Sequence, residues 1–360
     1  MQLHYIMTMI VNTLPYKLRK LPGSFLLLTL IILIGCSDDE NTVIENNQPI
    51  LVNLLGDNLY PEGIHTRANG DIFIGGFGDG SIQLIENGTE VSYFSAPGEN
   101  GMVIAVGMAI DESRGRLWVA NFNFDTGDGN PGSQVKVFNV NTGTLEATIP
   151  EQFIPGVFFN EMTIDQAGNI YISDTFNPQI WTASADLSGV EVWVENELLS
   201  NPAPDQPFDL NGLAITPDNN YLIASVMDRL DAGDGRLVRI DLSGKDVSQV
   251  DLSGDVAAFA GSDGMFFNDG LLYTVNVFSS AGAIVTANFN TDYSSATLDI
   301  RDAFQDVYNR PTASAIRDGR LWTVNSQLDH IIDDNNGAIG TEPDRPFQVV
   351  HVPLDILLAD

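Results

Sequence analysis

A short hairpin signature recurs six times along this chain, and that periodicity restricts the fold more than any other feature. Its clearest copy is Asn160-Glu-Met-Thr-Ile-Asp-Gln-Ala-Gly-Asn-Ile-Tyr-Ile-Ser-Asp174: an apolar strand, a tight Asp/Gly turn and a second apolar strand. The other copies align on it by their turns. They are Glu62-Gly-Ile with Asn69-Gly-Asp-Ile-Phe-Ile, Gly107-Met-Ala-Ile-Asp with Gly115-Arg-Leu-Trp-Val, Asn211-Gly-Leu-Ala-Ile-Thr-Pro-Asp with Tyr221-Leu-Ile, Asp263-Gly-Met-Phe-Phe-Asn-Asp-Gly-Leu-Leu-Tyr, and Thr312-Ala-Ser-Ala-Ile-Arg-Asp-Gly-Arg-Leu-Trp. A period of about 40–55 residues with strands inside each unit belongs to propellers and not to helical solenoids.

Each unit supplies an inner strand A, then B, and usually C and D. In the second these are Met102–Ile110, Leu117–Ala120, Gln134–Asn139 and Leu145–Ile149. The third gives Met162–Asp165, Ile170–Ser173, Gln179–Ala183 and Val190–Val194, and the fourth Leu213–Thr216, Tyr221–Ser225, Arg236–Asp241 and Val247–Leu252. Four-stranded units repeated radially are the blades of an all-β propeller. The sixth unit has A (Ala313–Ile316), B (Arg320–Val324) and C (Phe347–Val352) but too little chain for a fourth strand. Ile50–Leu54, spare before the first unit, is expected to complete it and close a six-bladed ring with no open edge.

The N-terminus reads differently. Lys17, Arg19 and Lys20 precede an apolar run from Phe25 to Ile34, and Leu33-Ile-Gly-Cys36 ends it on the chain's single cysteine. That order is a secretory signal, residues 1–35, too short to span a bilayer as a helix. It resembles the lipobox of bacterial lipoproteins, which implies a lipid on Cys36; an ordinary cleavable signal is the alternative. Ser37-Asp-Asp-Glu40 resembles the surface-export signal of some Gram-negative lipoproteins, so the expected location is the cell envelope, anchored to the outer membrane. The segment before the signal is long, and translation from Met7 or Met9 would shorten it. Residues 36–49 are polar and aperiodic and read as a tether, with the propeller from 50 to 360.

The formal charge of −32, from 48 acidic against 16 basic residues, repels phosphate backbones and makes nucleic acid an unfavourable partner. It suits divalent cations, or simply a solvated acidic surface.

In the register of the repeat the A strands begin with Glu62, Val106, Asn160, Asn211, Asp263 and Thr312. A propeller brings equivalent positions around one axis, so Glu62, Asn160, Asn211 and Asp263 are expected to converge. Two carboxylates and two amide carbonyls are hard oxygen donors of the kind Ca²⁺ takes, and they leave coordination positions open to water or substrate. With neither Cys nor His in the set, zinc is disfavoured. Asn, Asp and Gly also favour turns, and turn chemistry is the competing explanation. What favours a site is the shared register, since the turn residues lie elsewhere in the hairpin.

Pro61-Glu62-Gly63, Asn160-Glu-Met-Thr-Ile-Asp165, Asn211-Gly-Leu-Ala-Ile-Thr-Pro-Asp218 and Asp263-Gly264 resemble the family of gluconolactonase, regucalcin and luciferin-regenerating enzyme, over residues 50 to 352. Paraoxonase and diisopropyl fluorophosphatase are similar in architecture. The resemblance implies a six-bladed propeller with a catalytic divalent metal, calcium by preference, held by Glu62, Asn160, Asn211 and Asp263, and a small-molecule lactone or ester as substrate. Where family members often have Glu-Gly-Pro and then Trp, this chain has Glu62-Gly63-Ile64-His65, and the insertion after Val324 has no match.

Asp263 is the expected base or nucleophile. His330, in the loop after the B strand of blade six, is a second candidate. Asp174, Asn276 and Asn325 end B strands near the same mouth and are candidates for substrate contact or turn capping, while His65 is expected between blades and His351 away from the channel. Trp118, Trp181, Trp193 and Trp322 read as blade packing. Gly75-Gly-Phe-Gly78-Asp-Gly80 lacks the helix and Lys of a phosphate cradle, and no Gly-x-Ser-x-Gly elbow occurs. The reading is a lipid-anchored calcium-dependent lactone or ester hydrolase; the alternative is a non-catalytic propeller that binds a ligand or protein and uses calcium structurally.

Overall fold

The computed structural model describes residues 47–127, 129–201, 210–227, 235–277, 283–332 and 339–359. The signal, Cys36 and most of the tether lie outside them. Blade one is β2 (Pro61–Thr66), β3 (Ile72–Gly76), β4 (Ile82–Glu86) and β5 (Glu90–Ser95), and it follows β1 (Ile50–Asn53). Blade two is β6 (Ile104–Asp111), β7 (Arg116–Asn123), β8 (Gly132–Asn139) and β9 (Leu145–Pro155). Blade three is β10 (Phe159–Ile164), β11 (Ile170–Asp174), β12 (Gln179–Ala183) and β13 (Val190–Glu195). Blade four is β14 (Leu210–Ile215), β15 (Tyr221–Val226), β16 (Arg236–Asp241) and β17 (Val247–Gln249), and the chain then passes through β18 (Asp251–Gly254). Blade five is β19 (Ser262–Asn268), β20 (Leu271–Asn276), β21 (Ile284–Phe289) and β22 (Ser295–Arg301). Blade six is β23 (Pro311–Arg317), β24 (Arg320–Asn325) and β25 (Gln348–Pro353), followed by the short helix α1 (Leu354–Ala359).

The six sheets form a six-bladed propeller. Their A strands, β2, β6, β10, β14, β19 and β23, each touch the next around a closed circuit. The expected closure is found: β1 pairs antiparallel with β25, Val52 opposite Val349, and so supplies the outer strand of blade six. Val52 and Leu54 are buried there. Inner strands such as β3 and β6 are buried at consecutive positions, because each blade is sandwiched between two neighbours and both faces bury side chains such as Phe73, Trp118, Ile172, Ile223 and Val275.

The outer strand of blade four departs from the expected Val247–Leu252. It ends at Gln249, and Asp251–Gly254 runs parallel to β22 as a fifth strand on blade five. Val250 is the pivot. Its amide bonds the Leu237 carbonyl of blade four at 2.9 Å, while the amide of Asp251 bonds the Ser294 carbonyl of blade five at 2.9 Å. The Val250 side chain packs with Phe259 and Leu298. One buried valine in the seam thus hands the strand to the next blade and covers what would be a free edge.

Candidate functional site

Every A strand carries the same irregularity, a two-residue bulge opposite one residue of its B strand. Glu62-Gly63 faces Gly75, Val106-Gly107 faces Ala120 and Asn160-Glu161 faces Ser173. Asn211-Gly212 faces Ser225, Asp263-Gly264 faces Val275 and Thr312-Ala313 faces Val324. The strands begin slightly earlier than expected, so the aligned positions are bulge residues and not strand starts. A bulge bends its strand and re-aims its side chains, and repeated in register it delivers them to one level of the ring.

The second bulge residue is Gly or Ala in five blades. A Cβ on Gly107 would lie 2.2 Å from the Asn160 carbonyl oxygen, and one on Gly212 would lie 2.2 Å from that of Asp263. The neighbouring A strand passes too close for a side chain. Glu161 is the exception in this register.

Glu62, Asn160, Asn211, Asp263 and Thr312 line a common cavity of about 80 Å³. All are buried, Glu62 and Asp263 at 6% exposure and Asn211 at 4%. A second tier is made by the residue two places past the one that faces each bulge: Phe77, Phe122, Thr175, Met227, Val277 and Ser326. This tier orients the amides. The Asn160 Nδ2 donates to Thr175 Oγ1 at 3.1 Å, and Thr175 Oγ1 donates on to the Leu210 carbonyl at 2.8 Å. The Asn211 Nδ2 donates to Met227 Sδ at 3.1 Å, while the Asn211 Oδ1 is buried and accepts from nothing among the described residues. The Asn160 nitrogen is thus engaged by the wall, while the Asn211 amide acts on both Met227 and the Asp263 carboxylate.

In blades one and five, which carry the two carboxylates, the second-tier residues are Phe77 and Val277, whose side chains have nothing to donate. Burial, then the charges of Asp263 and Glu161, push the Glu62 carboxyl well above the usual carboxylate range. Burial, then the charge of Glu161, does the same to Asp263 against the smaller opposing effect of the Asn211 amide and the Gly264 N–H. Among the described residues no ion pair reaches either group. Two buried carboxylates and an orphaned amide oxygen are a donor set short of a positive charge. They fit a hard divalent cation such as Ca²⁺, with water or substrate completing its shell. Among the described residues no three His, Cys, Asp or Glu side chains close on one point, so a cation held here would draw on the amides as well.

Thr312 spends its hydroxyl on the Glu62 carbonyl, at 2.8 Å, and Val106 has no donor. Arg310 and Asp329 also border the cavity, the Arg310 Nε 3.7 Å from Asp329 Oδ2 and its Nη1 donating to the Val277 carbonyl at 2.8 Å.

The remaining sequence candidates are not brought to this cavity. His330 lies one residue past Asp329, half-buried, with Nδ1 2.5 Å from Thr341 Oγ1; the loop reaches the mouth through Leu328, Asp329 and Ile332 instead. Asp174 is wholly buried and accepts from Phe158 N, Phe176 N, Asn177 Nδ2 and Trp181 Nε1, and burial raises its carboxyl to about 6. Asn325 clamps the incoming chain by accepting from Asn309 N at 3.0 Å and donating to the Val307 carbonyl at 2.9 Å, as Asn121 does to Val103 and Gly101 in blade two. Asn276 ends β20 buried, its amide N–H on the Ala283 carbonyl. These residues fasten the strand connections. His65 lines a larger cavity of about 520 Å³, together with residues of neighbouring blades such as Met108 and Ile316. The bulge before it, which sequence spacing did not reveal, resets which way it points.

Glu161 was missed as a functional residue. It lines the lower cavity while its neighbour Asn160 lines the upper one, it acts electrostatically on both Glu62 and Asp263, and burial raises its own carboxyl to about 7. The signal was a charged residue where the aligned copies have Gly or Ala.

No protein-family model matches the chain, and no curated protein matches it either. Solved structures do resemble it. The Malassezia sympodialis allergen Mala s 1 superposes with a TM-score of 0.62 at 16% identity, over 84% of this chain and 95% of the allergen. A catalytically inactive virginiamycin B lyase from Staphylococcus aureus, solved with quinupristin, gives 0.55 at 15% identity, over 86% of this chain and 89% of the lyase. A gluconolactonase from Xanthomonas campestris gives 0.51 at 13% identity, over 84% of this chain and 89% of the enzyme. At these identities the likeness establishes the fold.

Proposed function

We propose that the protein is a divalent-cation-dependent hydrolase, with calcium the cation its donors suit best, acting on a lactone or related ester. The observation that carries this is the pair of buried carboxylates, Glu62 and Asp263, which line one cavity with Asn160 and Asn211 and, among the described residues, have no ion pair. The gluconolactonase of the same fold supports the choice of reaction class. Glu62, Asn160, Asn211 and Asp263 would hold the ion. When bound, it would polarise a carbonyl and stabilise charge on its oxygen.

Asp263 takes the role of base. It sits between an amide donor, Asn211, and the Gly264 N–H, which hold its carboxylate in place, and it can attack the carbonyl carbon or take a proton from water. Thr175 and Met227 fix the amide orientations, Thr312 ties blade six to blade one at the level of the ligands, and Phe77, Phe158 and Val277 line the cavity around them.

The reaction class is tested by following lactone hydrolysis on calcium-loaded and chelator-treated protein. Turnover lost with the ion and restored by calcium supports the proposal; calcium binding with no turnover on any lactone or ester moves the protein to a binding role. A lipid on Cys36 and an outer-membrane location belong to the same proposal, supported by the residues around that cysteine. Labelling of wild type but not of Cys36→Ser by radioactive palmitate would bear on the anchor.

A further inference from the structure

Lys136 on β8 is a buried cation for which the fold gives no counter-charge. It is 5% exposed, and a lysine is almost never buried so far unless it is paired. Its Nζ donates to the Thr148 hydroxyl at 3.0 Å and, among the described residues, to no carboxylate. The chain has 48 acidic residues to 16 basic ones, so a carboxylate was the easier partner to supply. Burial lowers the pKa of the ammonium, with no carboxylate effect opposing the shift.

The outer strand of blade two leaves this place open. Val135 pairs with Ile149 and Ser133 with Ile154, so residues 150–153 have no partner on β8 and bulge opposite Gln134. Gln134 and Lys136 alternate onto one face of β8. Phe138 shares that face and meets Phe94 of blade one at 5.9 Å, which places the face in the seam between blades one and two. At the bulge the seam widens to a groove of about 690 Å³, lined by Gln134, Lys136, Thr148, Glu151 and Phe153 among others. Gly101 closes it from the other side; a Cβ there would stand 3.2 Å from Lys136 Nζ, so the glycine leaves the ammonium uncovered on that side.

Acceptors lie unused beside this donor. Gln134 is 3% exposed, and its Oε1 has no partner among the described residues. Glu151 is exposed in the bulge, while Glu146 is taken by Arg116 at 2.9 Å and Asn139 at 3.1 Å. A ligand that satisfied both sides would bring a negative group to Lys136 and Thr148, and a charged donor to Gln134 and Glu151. A plain anion would meet only the first need, against the field of a chain with a net charge of −32. A zwitterion meets both and carries no net charge.

We propose that this groove binds a free α-amino acid, with its carboxylate on Lys136 and Thr148 and its ammonium on Gln134 and Glu151. Leu145 and Phe153 offer the remaining wall to its side chain. The groove shares no lining residue with either cavity described above, and the assignment stands whether or not the hydrolase reading does.

The test is calorimetric titration of the full chain with leucine, with isocaproate, which lacks the ammonium, and with isoamylamine, which lacks the carboxylate. Leucine should bind at one site, isocaproate at least about tenfold more weakly for want of a charged hydrogen bond, and the amine not measurably. Lys136→Met, which fills similar space without the charge, should abolish leucine binding. Gln134→Leu should weaken leucine and leave isocaproate unchanged, a split that a folding defect does not produce. No leucine binding in wild type, unchanged binding in Lys136→Met, or isocaproate bound as tightly as leucine overturns the proposal.

Discussion

The Thr312 hydroxyl donates to the backbone carbonyl of Glu62 at 2.8 Å, across 250 positions of chain. It closes the ring at the level of the candidate metal ligands, and it shows why blade six contributes no side-chain oxygen there. Thr312→Val should cost about 1 kcal/mol, the worth of one hydrogen bond, in urea unfolding and leave calcium affinity within a few-fold of wild type. A loss of calcium binding as large as that of Asp263→Ala would make Thr312 a ligand after all.

Thr175 acts on the metal site through Asn160. Removing its hydroxyl frees the amide to rotate and present nitrogen to the interior, so Thr175→Val should weaken calcium binding about tenfold, in the range for groups that orient ligands. Thr175→Ser should recover it. Equal affinity in all three proteins would mean that the Asn160 amide needs no such support.

Acidic pH should stabilise the metal-free protein. A carboxyl whose value is higher folded than unfolded takes up a proton on folding; its contribution is greatest at low pH and is lost as pH rises through the raised value. For Glu161 that window runs from its ordinary 4.5 to about 7. Thermal unfolding of chelator-treated protein at pH 6 and pH 8 should show a drop toward pH 8 that is smaller in Glu161→Gln, and calcium should shrink it in wild type. An unchanged drop in Glu161→Gln would remove this carboxylate from the account.

Close packing of the bulges makes Gly107 intolerant of any side chain, since its Cβ would meet backbone and not a movable side chain. Gly107→Ala should destabilise by about 3 kcal/mol, the upper end of overpacking, measured by denaturant midpoint.

The closing strand gives the fourth prediction of stability. A chain starting at residue 55 lacks β1 with its buried Val52 and Leu54, and should lose about 3 kcal/mol or more relative to one starting at residue 47. With β25 left as an open edge it should also self-associate.

Much of this was legible beforehand, and for a physical reason. Repetition constrains register, so Asn160, Asn211 and Asp263 fell into line on their hairpins, and the shortage of chain after Phe347 pointed back to Ile50 as the missing strand. What was not legible depends on bulges and long-range partners. Nothing local says that Glu161 turns away from Asn160 into the lower cavity, that Asp174 and Asn325 are consumed by backbone clamps, or that Val250 carries its strand across a seam. His330 lay one residue from Asp329, which does border the cavity, and a loop's path cannot be read to that accuracy from spacing.

Calorimetric titration of calcium into chelator-treated wild type, Asn160→Ala and Asp263→Ala addresses the central claim most directly. The account predicts one site per chain in wild type, affinity lowered at least tenfold in Asn160→Ala as one oxygen ligand is removed, and no measurable binding in Asp263→Ala. Wild-type protein that binds no divalent cation, or variants that bind as well as wild type, would contradict it and return the aligned residues to turn chemistry.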